Sequence, residues 1–160
     1  MTIEVEAAPT SDRELVIARI IDAPREKVFR AWTDPKLMMQ WFAPLPSTTP
    51  AAEVDLRPGG TSMVVMRDPE GNDFPSSGVY LEIVEKERLV FTDAYARAWE
   101  PSEKPFMTVV LTFEDESGKT RYTARARHWT VEETERHRQM GFHEGWAKCA
   151  DQLEALVKTL

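Results

Sequence analysis

The period of the hydrophobic pattern changes along this chain, and each change marks an element. In ELVIARII, Glu14 to Ile21, it is two. Leu15, Ile17 and Arg19 fall on one side and Val16, Ala18 and Ile20 on the other, which predicts a strand. Asp22-Ala23-Pro24 ends it. Val28, Phe29 and Trp32 then recur at helical spacing. Asp34-Pro35 supplies an N-cap and a proline at the first position of a second short helix, which ends in Trp41-Phe42. Helices this short are unstable alone, so their aromatics must dock onto something concave. The strand-rich middle of the chain is the available partner.

Ala43 to Pro50 reads as an irregular connection, because Pro44, Pro46 and Pro50 disfavour regular structure. Strands are expected over 51–56, 61–67, 78–84, 89–94, 107–114 and 120–129. Turn signals at Arg57-Pro58-Gly59-Gly60, at 68–72 and at Asp115-Glu116-Ser117-Gly118 separate five of them, the first three and the last two. The last strand alternates most cleanly, with Tyr122, Ala124, Ala126 and His128 on its inner face and Arg121, Thr123, Arg125 and Arg127 outside. The small residues at 124 and 126 suit either a cavity wall or close helix packing. Thr130-Val131-Glu132-Glu133 is a capping box that opens a terminal helix. Gly141 and Gly145 are its weak points. Phe142, Trp146, Cys149, Leu153, Leu156 and Leu160 form its apolar stripe, opposite Glu144, Lys148, Asp151, Glu154 and Lys158. Two Glu→Lys pairs at i,i+4 are expected on that polar face.

The resulting order is strand, two short helices, about six strands, long helix. It predicts an α+β fold in which a curved antiparallel sheet of six to seven strands lies against the C-terminal helix. Residues 1–12 read as a loose lead-in and 13–160 as one domain, a size sufficient for a real core. A net charge of −7 argues against nucleic acid or an anionic membrane surface as partner. It leaves neutral or cationic organic ligands open. The single cysteine, Cys149, cannot form an internal disulfide, and the N-terminus has no signal-peptide pattern. No apolar run nears the length of a membrane span. These features together predict a cytoplasmic protein.

Five strings in order resemble the activator-of-Hsp90-ATPase-homologue family of the START/Bet v 1-like (SRPBCC) superfamily. They are IDAPREKVFRAWTDP at 21–35, Trp41-Phe42, VDLRPGG at 54–60, GVYLEIVEKERLVFTD at 78–93 and MGFHEGWAKCADQLEALV at 140–157. The resemblance implies the helix-grip fold, a sheet gripping the C-terminal helix around a hydrophobic cavity. Similar cavities in that superfamily bind lipids, sterols or polyketides, and some members cyclise or hydrolyse them. The aromatic pair, often Trp-Trp in relatives, is Trp-Phe here. A chain of this length leaves no room for the separate Hsp90-binding domain of eukaryotic relatives, so no chaperone function is carried over.

The residues themselves suggest little catalysis. The three histidines, His128, His137 and His143, form no H-E-x-x-H motif, and one cysteine makes no zinc knuckle. There is no nucleophile elbow, phosphate loop or dinucleotide fingerprint, so no metal or cofactor is expected. Cys149 reads as a buried structural thiol. Arg57 reads as a turn-stabilising partner of Asp55.

Trp41, Phe42, Tyr95, Trp99 and Phe106 lie at element ends or in loops, where large aromatics mark a cavity mouth or an interface. Tyr80, Phe91 and Trp146 complete the aromatic candidates, although Trp146, like Trp32, reads first as core. Met38, Met39, Met63, Met66, Met107 and Met140 add adaptable apolar surface. His128 reads as a core histidine bonded to a backbone carbonyl, or as a polar fixture that orients a ligand together with Tyr80. The favoured function is binding of a small hydrophobic or lipid-like molecule, with no catalytic residue assigned. Two alternatives are kept: a cyclase- or hydrolase-like enzyme acting on a polyketide-like substrate, and an interaction module working through a protein surface or as a homodimer.

Overall fold

The alternating segment is strand β2 (Glu14–Ile21) in a computed structural model that describes all 160 residues. Helices α1 (Arg25–Thr33) and α2 (Pro35–Trp41) follow, divided where predicted: the Asp34 side chain accepts from the Lys36 N–H and caps α2. Strands β3 (Thr48–Val54), β4 (Thr61–Arg67), β5 (Asp73–Val84) and β6 (Arg88–Thr92) come next. A small separate hairpin, β7 (Tyr95–Arg97) and β8 (Glu100–Pro101), precedes β9 (Thr108–Glu116) and β10 (Lys119–Arg127). Helices α3 (Val131–Gln139) and α4 (Phe142–Val157) close the chain.

The main sheet has eight antiparallel strands in the order β1-β2-β10-β9-β6-β5-β4-β3, where β1 is the two-residue edge Ile3–Glu4. Tight connections link β3 to β6 and β9 to β10 in sequence. The turn of the β9–β10 hairpin places Ser117 and Gly118 at positive φ, 55° and 86°. The two non-sequential pairings, β2 with β10 and β6 with β9, bring distant parts of the chain together. The sheet curves around α4, and α1 and α2 fill the space beside it. This is the helix-grip fold.

One face of the sheet carries the core, in which Leu15 and Ile17 of β2 meet Leu111 and Phe113 of β9, Tyr122 of β10 and Leu153 of α4. Ala124 and Ala126 belong to that same solid interior. They allow close packing and do not border a void.

The structure corrects several expectations, each for a local reason. Strand β3 begins at Thr48 and includes Pro50. It is an edge strand with an irregularity between Thr48 and Ala51, and there a missing N–H costs nothing. Strand β5 starts at Asp73 and runs through Pro75, because β6 pairs only with residues 79–84 and leaves the first half of β5 with a free edge. Gly141, one of the two weak points expected in the terminal helix, stands at φ 97° and splits it in two, as its position suggested. Glu154 is buried and accepts the Asp22 N–H. Lys148 donates to the Leu45 carbonyl and Lys158 pairs with Asp22, so neither expected Glu→Lys pair forms. Within residues 1–12, β1 pairs with β2, and the Thr10 N–H and hydroxyl both reach the buried carboxylate of Glu14. Arg125 and Arg127 complete that carboxylate's shell at 2.7 and 3.1 Å.

Candidate functional site: an aromatic cavity beside the C-terminal helix

A hollow of about 90 Å³ lies between the helices and the β4–β5–β6–β9 half of the sheet. Its walls are built element by element. Helix α1 contributes Trp32, α2 contributes Met38, and the residue just after α2 is Phe42. From the sheet come Ser62 and Val64 of β4, Tyr80 of β5, and Leu89 and Phe91 of β6. Met107 and Val109 close the floor and Trp146 of α4 forms the roof.

Trp32 is the centre of this arrangement. Its ring stacks on Trp146 at 6.3 Å and meets Trp41 at 4.8 Å, Phe42 at 5.8 Å and Phe91 at 5.8 Å. Its indole N–H finds no acceptor in hydrogen-bond geometry. The Tyr80 ring meets Phe91 edge-on at 6.4 Å, and burial pushes its hydroxyl pKa up.

Polar residues gather on one side of the hollow: Ser76, Ser77 and Gly78 of β5 against Thr92 and Asp93 at the end of β6. Gly78 is required there, because a Cβ at this position would stand 2.2 Å from the Thr92 carbonyl oxygen. Asp93 Oδ1 accepts the N–H groups of Phe106 and Met107 at 2.8 and 3.0 Å and so fixes the segment that leads into β9. Burial raises the Asp93 pKa, against the lowering effect of those two N–H groups, and the like charge of Glu133 adds to the rise.

Of the sequence candidates, Phe42, Tyr80, Phe91 and Trp146 come together around the hollow. The others lie elsewhere. Trp41 is buried behind Trp32, where its Nε1–H donates to the Ala31 carbonyl at 3.0 Å. Met63 is on the opposite face of β4 from Ser62 and Val64, since successive strand residues alternate. Tyr95 and Trp99 pair edge-on at 5.5 Å in the small hairpin, and the Trp99 ring covers Gly59. Met140 is 68% exposed beyond the end of α3.

Phe106 and His128 form a second cluster with His137 and Phe142. There His128 Nδ1 lies 3.1 Å from the Arg13 carbonyl oxygen, and its Nε2 lies 2.8 Å from His137 Nδ1. A carbonyl can only accept, so in the neutral pair His128 donates from Nδ1 and accepts the His137 Nδ1 proton at Nε2. Burial and the neighbouring His128 and His143 hold the His137 pKa down at about 4.

Cys149 Sγ donates to the Phe42 carbonyl, and burial pushes its thiol up to about 12. Arg57 pairs with Asp55 at 2.8 Å on the surface of the DLRPGG turn. No group of three or more His, Cys, Asp or Glu side chains is arranged to hold a metal.

Sequence reasoning missed Trp32 as wall, named Met38 and Met107 only as adaptable apolar surface, and missed Val64, Leu89, Val109 and the polar side altogether. The signal in hand was parity. Ser62 and Val64 share a strand face, and the register pairs Ser62 with Gly78, two residues before Tyr80.

The family model for activator of Hsp90 ATPase homolog 1-like proteins matches residues 22–158, nearly the whole chain. The chain belongs to this family. Its structure is similar to that of a protein from Nitrosomonas europaea, with 41% identity over 94% of this chain and 97% of that one, at a TM-score of 0.91. More distant likenesses share the fold. A Mycobacterium smegmatis protein is 24% identical over 96% of each chain, with a TM-score of 0.80. An AHSA1-like protein from Aeromonas hydrophila is 22% identical over 91% of this chain and 92% of that one, with a TM-score of 0.69. No curated protein matches the chain. The family's helix-grip fold is, in general, a ligand-binding architecture. No helix is long and apolar enough to cross a membrane.

Proposed function

We propose that this protein binds a small, largely apolar organic molecule in the cavity walled by Trp32, Phe42, Phe91 and Trp146. The observation that carries the reading is that an aromatic-lined hollow, and not packed side chains, occupies this part of the interior. Natural interiors are close-packed, so a hollow of this size is a feature to be explained. Its size sets the ligand's scale. A volume of about 90 Å³ takes a group of about one ring, and larger molecules must extend through the serine side. Burying about 150 Å² of ligand surface supplies roughly 4 kcal/mol before ordering costs, so modest affinity is expected. Cyclase- or hydrolase-like chemistry has less support, because the histidine pair lies in a separate cluster and no histidine lines the cavity beside its serines. A cytoplasmic location fits a chain with one cysteine and no internal disulfide.

Trp32 and Trp146 are built-in reporters. Titrating a panel of small aromatic and alicyclic compounds should change tryptophan emission saturably. Val64→Phe, which fills the hollow from β4, should weaken that response at least roughly tenfold while near-UV circular dichroism stays native-like. Undiminished binding in Val64→Phe would place the ligand elsewhere.

A further inference from the structure

The cavity has one charged group, and the fold leaves it without a counter-ion. Asp93 is the only carboxylate lining the hollow, and no Lys, Arg or His lines it. Its Oδ1 is taken by the Phe106 and Met107 N–H groups. No side chain donates a hydrogen bond to the Asp93 carboxylate, and no basic side chain forms a salt bridge with it. The nearby Glu133 is equally unpaired, and its Oε2 is buried without a hydrogen-bond partner. A partly desolvated carboxylate with no cation beside it is costly to keep. Trp32, Phe42, Tyr80, Phe91 and Trp146 line the same hollow. Aromatic faces carry negative quadrupole density and attract cations, tryptophan most strongly. The walls and the carboxylate therefore favour the same sign of ligand, and both disfavour an anion. The overall charge of −7 acts in the same direction at long range.

On the reading that this cavity binds a small apolar molecule, we infer that the ligand is an organic cation, an amine whose ring or alkyl body fills the aromatic hollow while its ammonium group pairs with Asp93. Fatty-acid-like carboxylates are excluded by the same charge. Alcohols of the same shape bind as well as their apolar body allows and no better.

Three near-isosteres separate charge from shape: 2-phenylethylamine, 2-phenylethanol and 3-phenylpropionate, titrated at pH 7.5 against tryptophan emission. In the wild type the amine should bind roughly tenfold tighter than the alcohol, and the propionate weakest of the three. Added sodium chloride should weaken the amine and leave the alcohol unchanged. Asp93→Asn keeps an oxygen for the Phe106 and Met107 N–H groups. It should bring the amine down to the alcohol's affinity without altering the alcohol. Equal binding of amine and alcohol by the wild type, or an amine preference that survives in Asp93→Asn, overturns the charge assignment and leaves the cavity reading standing. Saturable binding by none of the three overturns this inference and counts against the cavity itself. Should Asp93→Asn fail to fold, the wild-type amine-to-alcohol ratio and its salt dependence decide the matter alone.

Discussion

His128 and His137 are nine positions apart in sequence and joined by a 2.8 Å hydrogen bond between ring nitrogens, one at the end of a strand and the other on a helix. Their pairing is a residue-scale fact with a pH consequence. His137 is held neutral in the fold, with a pKa at about 4 against 6.5 when unfolded. Above pH 6.5 neither state binds the proton. As pH falls from 6.5 towards about 4 the unfolded chain takes it up and the native state does not, so stability falls over that window. Glu14 and Asp151, whose pKa values are lowered, weaken the fold at still lower pH. Urea midpoints measured between pH 7 and pH 4.5 should therefore drop in the wild type. They should drop less in His137→Asn, whose amide nitrogen stands near the Nδ1 position and can still donate to His128. Parallel curves for the two proteins would mean that His137 is protonated freely in the native state. Asp93 is the other residue whose role depends on its surroundings. In the sequence it ends VFTD with nothing to set it apart, and only the walls around it make its charge informative.

At the scale of elements, the glycines of two motifs have different reasons to be glycine. Gly59 needs its positive φ of 80°, and its N–H donates to the Tyr80 carbonyl at 2.7 Å, while the Tyr80 N–H returns a bond to the Gly60 carbonyl at 3.0 Å. The turn is thus stitched to the strand that carries a cavity wall. Gly60 and Gly78 need the absence of a side chain, since a Cβ would stand 2.0 Å from the Asp55 carbonyl oxygen and 2.2 Å from that of Thr92. Gly78→Ala should cost roughly 1–3 kcal/mol by forcing β5 away from Thr92. It should also change the emission of the cavity tryptophans, because the displaced segment is cavity wall. Denaturant unfolding followed by fluorescence measures both, and a wild-type midpoint would show that the strand end yields freely. The helical elements were largely legible in the chain. Asp34-Pro35, Thr130 with the Glu133 N–H and Gly141 act where their chemistry placed them. Strand limits at Pro50 and Pro75 were not, because a proline's cost depends on whether its edge is paired, which is decided by neighbours far along the chain.

Over the whole molecule, packing density is uneven. The β2–β10–β9 half is solid beneath α4, and the β4–β5–β6 half is hollow under Trp32 and Trp146. Trp32 belongs to both, as the partner of Trp41 on one side and as cavity wall on the other. Trp32→Ala should cost about 3–5 kcal/mol and abolish ligand-dependent emission changes. A loss below about 1 kcal/mol in urea unfolding would mean that the aromatic cluster stabilises little and that the hollow is a packing defect.

The chain by itself determined its periods, caps and turns, and with them the order of strand, two short helices, strands and terminal helix, because those features depend on neighbours a few residues away. It also supplied the aromatics. Tertiary structure alone decided which of them face a void. Phe42, Tyr80, Phe91 and Trp146 surround it, while Trp41, Tyr95, Trp99, Phe106 and His128 do not. Ala124 and Ala126, which suited either a cavity wall or close helix packing, proved to be solid core. The reason is physical. A hollow is the space left over when several strands and helices have been set in register, and no local pattern encodes the sum.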